Sequence, residues 1–323
     1  MEMCKMKVLV TGGAGFIGSH LVRELIARGI ETVVLDNLST GLRENLPDDV
    51  RLIVGDVRSG ELASSHTLLD LFMEERPDMV VHLAAQTMVD SSIKDPVLDM
   101  DVNIRGAVNV LEASRKSGVK RIVFSSTAAA YGDVPAEKLP LREDMEPRPK
   151  SFYALSKVTT EGYLSMYHEL FGLSYIVLRF ANVYGERQGA GGEGGVISIF
   201  AKALAKENDI TIFGDGGQTR DFIYAGDVAR AVVSALLTSA ERANTIYNVS
   251  TETETPLKDV VKHLANAAGR AVQPDYGPAR KGDIYRSVLS NKKLREALGW
   301  APEVGLAEGL ARTYMDCVRR FGK

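Results

Sequence analysis

The feature that most narrows what this chain can fold into is an alternation. From residue 7 to residue 180, short apolar runs rich in β-branched residues take turns with longer amphipathic stretches. Strands are expected at 7–11, 31–36, 50–54, 79–83, 121–125 and 174–179. Helices are expected at 18–28, 97–117 and 153–171, where apolar residues recur at spacings of three and four. Strands that are apolar throughout must be covered on both faces, and a helix between consecutive strands supplies that cover while returning the chain to start a parallel neighbour. The expected fold class is therefore α/β, a doubly wound parallel sheet. After Asn182 the pattern changes: residues 185–195 are Gly-rich and read as a loop, and the later elements are shorter and more mixed. Residues 1–180 are thus assigned to the sheet domain and 181–323 to a second, smaller α/β substrate lobe. Within the latter, a helix at 227–237 and a strand at 245–249 are placed so that residues 223–249 return to the main sheet.

Bulk properties exclude several function classes. A net charge of -3 over 323 residues gives no general attraction to polyanions, so neither nucleic acid nor an anionic membrane is an expected partner. The two cysteines, Cys4 and Cys317, lie at opposite ends with neither metal-ligand nor disulfide spacing, and no metal is expected. Residues 1–6 are too short and polar for a signal peptide, and no apolar run reaches membrane-spanning length. A reducing, cytoplasmic setting is the expectation.

The first strand runs directly into Gly12-Gly13-Ala14-Gly15-Phe16-Ile17-Gly18 and then a helix. Glycines there let the backbone turn tightly and approach a pyrophosphate, whose charge is favoured by the free N–H groups of a helix N-terminus. Asp36 ends the second strand, where a carboxylate can accept hydrogen bonds from a ribose and repel a 2′-phosphate, which selects NAD over NADP. It also fits a plain turn residue, since Asn37 and Ser39-Thr40-Gly41 follow. Asp56, after the third strand, fits an adenine contact and a turn equally well.

Tyr153 and Lys157 lie four residues apart on an expected helix and so share one face. Ser125-Ser126-Thr127 closes the fifth strand, and ligands of open α/β sheets sit beyond strand carboxyl ends. Oxidising an alcohol by hydride transfer requires a base for its proton. A phenol with an ordinary pKa near 10 is a poor base at neutral pH, so Lys157 is expected to favour the phenolate, while Thr127 bridges the same hydroxyl. The plain alternatives are a strand-end cap for Thr127 and a solvated charge for Lys157.

Together, residues 11–18, His82-Leu83-Ala84-Ala85, Asn103, Thr127, Tyr153, Lys157, Arg179-Phe180-Ala181-Asn182-Val183-Tyr184-Gly185, 214–222 and 280–283 resemble the NAD-dependent epimerase/dehydratase family of extended short-chain dehydrogenases, over essentially the whole chain. The resemblance implies a Rossmann sheet, NAD as cofactor, a UDP-sugar substrate and a homodimer paired through the helices at 97–117 and 153–171. It implies that Gly12, Gly15, Phe16, Ile17, Asp36, Asn37, Ser39, Thr40, Gly41, Asp56, Val57, Leu83, Ala84, Asn103, Tyr153, Lys157 and Phe180 line the NAD site. It likewise places Asn182, Val196, Phe213, Arg220 and Arg280 on the nucleoside diphosphate. Two arginines suit that group, although each read alone is also an ordinary surface charge. Ser287 is implied to wall the sugar pocket, and a slip of one or two residues puts Tyr285 or Arg286 there instead. The chain departs from some relatives in carrying Gln86 and Thr87 where those have a lysine.

The implied reaction is inversion at C4 of a UDP-hexose of the glucose/galactose type through a 4-keto sugar, catalysed by Thr127, Tyr153 and Lys157. Related 4,6-dehydratases and uronate decarboxylases need an acid just after the Thr127 position. Here Ala128 and Ala129 follow, and a methyl group transfers no proton. UDP-N-acetylglucosamine and UDP-glucuronate remain alternative substrates. From a different class, a non-catalytic NAD-binding regulator is disfavoured by the intact Thr127, Tyr153 and Lys157.

Overall fold

In a computed structural model, residues 6–59, 67–189, 194–279 and 284–322 are described. The alternation folds as expected. Strands β1 (Lys7–Thr11), β2 (Glu31–Asp36), β3 (Arg51–Val54), β4 (Met79–His82), β5 (Arg121–Thr127) and β6 (Ser174–Phe180) are joined by α1 (Phe16–Ala27), α2 (Leu68–Glu75), α3 (Val89–Lys94), α4 (Pro96–Met100), α5 (Gly106–Ser117) and α6 (Phe152–Phe171). The remaining elements are β7 (Asn182–Tyr184), α7 (Val196–Ala205), β8 (Thr211–Phe213), β9 (Thr219–Arg220), β10 (Phe222–Tyr224), α8 (Ala225–Leu237), β11 (Thr245–Val249), β12 (Thr255–Pro256), α9 (Leu257–Ala268), β13 (Asp275–Gly277), α10 (Lys292–Leu298) and α11 (Leu306–Phe321). The main sheet has seven parallel strands in the order β11-β6-β5-β4-β1-β2-β3. Progression reverses between β1 and β4, so the loops that follow these two strands part and open a crevice at the carboxyl edge.

Period-two alternation divides the strand side chains between two cores. Val8, Val10, Val81 and Ile176 pack under α1 and α8, with Leu21, Leu25 and Val232. Leu9, Val80, Ile122 and Phe124 face the other way, onto Phe72, Val110 and Leu164 from α2, α5 and α6. The segment at 225–249 does return: α8 packs on α1, and β11 pairs with β6 from Thr245–Ile176 to Val249–Phe180. The buried Arg121 guanidinium donates to the Ala235, Leu236 and Thr238 carbonyls, satisfying the open end of α8 with a charge that its dipole favours.

The run expected as one helix at 97–117 begins at Pro96 and is interrupted by a π-turn over Asp101–Arg105 before α5. The extra residue in that turn re-phases the helix. It carries Asn103, which is 2% exposed, to the inner side. Beyond the sheet, α7, α9 and α11 enclose a separate core of Phe200, Leu204, Val260, Leu264 and Leu310, edged by the small sheets β7–β10, β8–β13 and β9–β12.

Candidate active site

The dinucleotide end is built by close backbone approach. Gly12 has φ +72°, and a Cβ there would sit 2.6 Å from the Ala84 nitrogen; at Gly18 it would sit 2.2 Å from the Gly12 carbonyl oxygen. Only glycine permits the β1 turn to lie against both the strand β4 exit and helix α1. Gly15 caps α1 with no side-chain acceptor for the first-turn N–H groups, and no acidic residue lies in that turn. These donors suit a pyrophosphate.

Asp36 is 7% exposed and closes β2. Its Oδ2 accepts from the Ala14 amide at 2.9 Å and its Oδ1 from the Leu38 amide at 2.8 Å, while burial pushes its pKa up against these hydrogen bonds. Lone pairs remain on both oxygens for a diol. The carboxylate thus organises the turn and keeps acceptor capacity beyond it. A Cβ on Gly41 would lie 2.9 Å from the Asp36 Oδ1, so this glycine closes the turn around the carboxylate, whereas Asn37, Ser39 and Thr40 are exposed beside it. Burial opposes the Asp56 charge, but the Arg58 side chain and amide, with Asn37, hold its pKa down to about 2. Val57 is buried against Gly106. Phe16 and Ile17 open α1, Leu83 and Ala84 follow β4, and Phe180 ends β6. The proposed cofactor residues thus follow or flank the carboxyl ends of β1, β2, β3, β4 and β6, along one edge of the sheet.

The catalytic candidates stand at the same edge. Ser151 caps α6, its hydroxyl accepting from the Ala154 amide at 3.1 Å, and this sets Tyr153 and Lys157 in the first two turns. The Lys157 ammonium is buried, donates to the Ser125 carbonyl at 2.9 Å and lies 4.8 Å above the Phe124 ring. Burial lowers its pKa to about 8 against the opposing pull of Asp99 and Glu161. Thr127 caps the turn at Ala128–Tyr131, its hydroxyl accepting from the Ala129 amide at 3.1 Å, and it lies beside the Tyr153 phenol, whose pKa it pulls down.

Burial pushes the phenol of Tyr153 up, Thr127 pulls it down and Asp99 raises it further. The Lys157 ammonium donates to the Ser125 carbonyl on the same strand end.

Behind this edge lie buried groups that spacing alone did not single out. Glu161, one turn beyond Lys157, pairs with the buried Arg179 at 2.6 Å and accepts from the Ser126 hydroxyl. Gln86 donates to the Asp99 carboxylate at 2.9 Å, and the Asn103 side chain reaches Asp99 and Ser156, both at 3.1 Å. Arg187, at φ +67°, donates to the Ser19 hydroxyl at 2.8 Å and through its amide to Asp316, linking α1 to α11.

The substrate candidates lie on the other lobe. The Asn182 amide donates to the Asp221 carbonyl at 2.9 Å, and Arg220 precedes Asp221 on β9 with its guanidinium on the Thr219 carbonyl. Phe213 ends β8 and packs against Gly277, and the Thr219 amide donates to the Tyr285 carbonyl at 2.8 Å. These contacts bring Asn182, Phe213, Arg220 and the stretch before Ser287 into adjoining segments. Val196 opens α7 and packs on the core enclosed by α7, α9 and α11. Arg280 lies outside the described residues. Near Ser287, Tyr285 donates to Asp215 and Arg286 pairs with Glu254 at 2.6 Å, so both larger neighbours are engaged and Ser287, half-buried, is left.

Comparison with known proteins gives one consistent picture. Residues 8–250 match the model of the NAD dependent epimerase/dehydratase family. The UDP-glucose 4-epimerase of Mycolicibacterium smegmatis is 42% identical over 314 residues, covering 95% of this chain and 97% of that protein. The crystal structure of the Thermus thermophilus UDP-glucose 4-epimerase in complex with NAD superposes with a TM-score of 0.88 at 46% identity, covering 97% of this chain and 99% of the other. The Thermotoga maritima UDP-glucose 4-epimerase with UDP-glucose gives 0.90 at 40% identity, over 98% and 99%.

Proposed function

The chain belongs to the NAD-dependent epimerase/dehydratase family, and from that membership we propose that it inverts C4 of a UDP-hexose of the glucose/galactose type. The observation that carries the reading is the assembly of Thr127, Tyr153 and Lys157 at the carboxyl end of β5, followed by Ala128 and Ala129 where a dehydratase needs acids. Bound NAD supplies a reversible hydride acceptor. The glycine turn and the N-terminus of α1 would hold its pyrophosphate, and Asp36 its ribose. Tyr153 takes the proton of the C4 hydroxyl, Thr127 fixes that hydroxyl by hydrogen bonding, and Lys157 holds positive charge beside the reacting centre. Asn182, Val196, Phe213 and Arg220, with Arg280, would anchor the nucleoside diphosphate, so that the hexose can present either face while the nucleotide stays in place. Arg286 is paired with Glu254 and is thereby withdrawn from service to a uronate carboxylate. Among the described residues no helix is long and apolar enough to cross a membrane.

A second copy of the chain is the proposed partner. Phe152, Leu155, Met166 and Leu170 on α6, with Ile93 on α3 and Val97 on α4, are 47–65% exposed. α6 packs beside α3 and α4, so these apolar groups belong to neighbouring helices.

The test is to incubate the purified protein with UDP-galactose and follow UDP-glucose. Conversion is expected, and Tyr153→Phe should retain NAD while turnover drops at least about a hundredfold, the usual scale for losing a general base. No conversion by the native protein, or full turnover in the variant, overturns the reading.

A further inference from the structure

Asp99 is 1% exposed, lies on α4, and has no part in the reaction set out above. Its Oδ1 accepts from two neutral amides, Gln86 Nε2 at 2.9 Å and Asn103 Nδ2 at 3.1 Å. Among the described residues no cation lies within ion-pair distance of it. A carboxylate so buried is costly unless an opposite charge compensates it. Lys157 is the complementary case: a buried ammonium whose hydrogen bond goes to a backbone carbonyl, also with no carboxylate in ion-pair contact among the described residues. A hydrogen-bonded path joins the two regions. Asn103 Nδ2 meets the Ser156 hydroxyl at 3.1 Å, and Ser156 donates to the Tyr153 carbonyl at 2.9 Å, on the turn of α6 that carries both catalytic groups.

We propose that Asp99 is the buried counter-charge of the catalytic pair, a positioning residue that holds the Lys157 ammonium charged and sets how readily the Tyr153 hydroxyl releases its proton. The other charges around the pair are otherwise committed. Glu161 on α6 acts on Lys157 but is neutralised by Arg179 from β6. His82 on β4 is buried and held neutral, its pKa lowered to about 3 by burial and by Lys157. Asp90 and Lys94 on α3 are exposed, and Asp101 pairs with Arg105 at 2.5 Å. Asp99 is the charge that raises both Tyr153 and Lys157. At low dielectric a carboxylate acts over several ångströms, even across neutral side chains.

The counter-charge role rests on the epimerase reading, and its test separates the two. In the NAD-loaded protein, the near-ultraviolet absorbance of the Tyr153 phenolate is titrated as the difference from Tyr153→Phe, a measurement that needs no sugar; kcat/KM against pH is recorded in parallel. Asp99→Asn keeps the shape and one oxygen to accept from the amides but removes the charge. The phenol midpoint should fall by about one pH unit, the scale of a nearby charge. Both limbs of the rate profile should move to lower pH together, because phenol and ammonium each lose the charge that raised them. Damage to packing lowers the height of the profile without moving its limbs. Gln86→Lys, which puts a cation against the same carboxylate, should shift both in the same direction and decides the matter if Asp99→Asn does not fold. Asp101→Asn, two residues along the chain and already paired with Arg105, should leave the midpoints where they are. Midpoints unmoved or raised in both Asp99→Asn and Gln86→Lys overturn the proposal; a moved phenol with no turnover of any UDP-hexose leaves it standing and sinks the epimerase reading.

Discussion

At the residue scale, Asp36 holds a loop with the same carboxylate that is proposed to meet a ligand. Its two oxygens hold the Ala14 and Leu38 amides, so the turn that would receive the adenosine ribose is organised by the same carboxylate proposed to bind it. Asp36→Asn keeps an acceptor for one amide but loses the charge that repels a 2′-phosphate. Binding of NAD to the cofactor-free protein should weaken by about 1.5 to 3 kcal/mol, the scale of a charge-assisted hydrogen bond. NADP should weaken less, and calorimetric titration with each cofactor measures the ratio. An unchanged ratio makes Asp36 a turn residue alone. This position was legible in the sequence because strand ends and glycines announce themselves locally. Asp99 and Arg187 were not, because their meaning depends on segments that approach only in the folded chain: Gln86 for the first, Ser19 for the second.

At the element scale, α6 carries the proposed catalytic side chains on one side and an exposed apolar stripe on the other. Ser156, Lys157 and Thr160 are buried toward the sheet and the π-turn, while Leu155, Met166 and Leu170 face outward. A helix that is this apolar on its outer face calls for cover. Leu170→Glu, at a side chain 65% exposed, should leave the monomer fold intact and desolvate a charge in the proposed homodimer. Sedimentation velocity should then show a shift from dimer to monomer, and an unaltered mass would place the interface elsewhere. The strands and the bounds of α6 were readable within a residue or two, since apolar periodicity repeats over many positions. The π-turn over Asp101–Arg105 was not, because one additional residue in a helix leaves the apolar pattern on either side intact. The short strands of the second lobe, two or three residues each, offer too few positions for any period to show.

At the scale of the whole molecule, buried ionisable groups set how stability responds to pH. Burial lowers His20 to about 4, with Arg187 contributing, and lowers His82 to about 3. The unfolded chain takes up protons on both near the ordinary histidine value of 6.5, while the folded one stays neutral until far more acid conditions. Their contribution is therefore present above pH 6.5 and lost as pH falls toward 4, at up to about 1.4 kcal/mol per pH unit for each. Asp221, raised to about 6 by burial, works the other way: its contribution is present in acid and lost as pH rises through 6. Asp36, raised by burial as well, works in the same direction as Asp221, but the two large histidine shifts span most of this range; the Tm of the protein should therefore drop between pH 7 and pH 5, and His20→Gln should make that drop shallower, whereas parallel slopes would remove His20 from the account. The return of α8 and β11 to the main sheet has a consequence of its own while the protein is being made. Translation delivers the chain from its amino end, and when residue 224 has emerged, β6 is still a bare edge and the side of α1 that α8 covers is still open. Two-thirds of the polypeptide thus waits beside the ribosome with sticky surfaces open, and the sheet closes only when Val249 arrives.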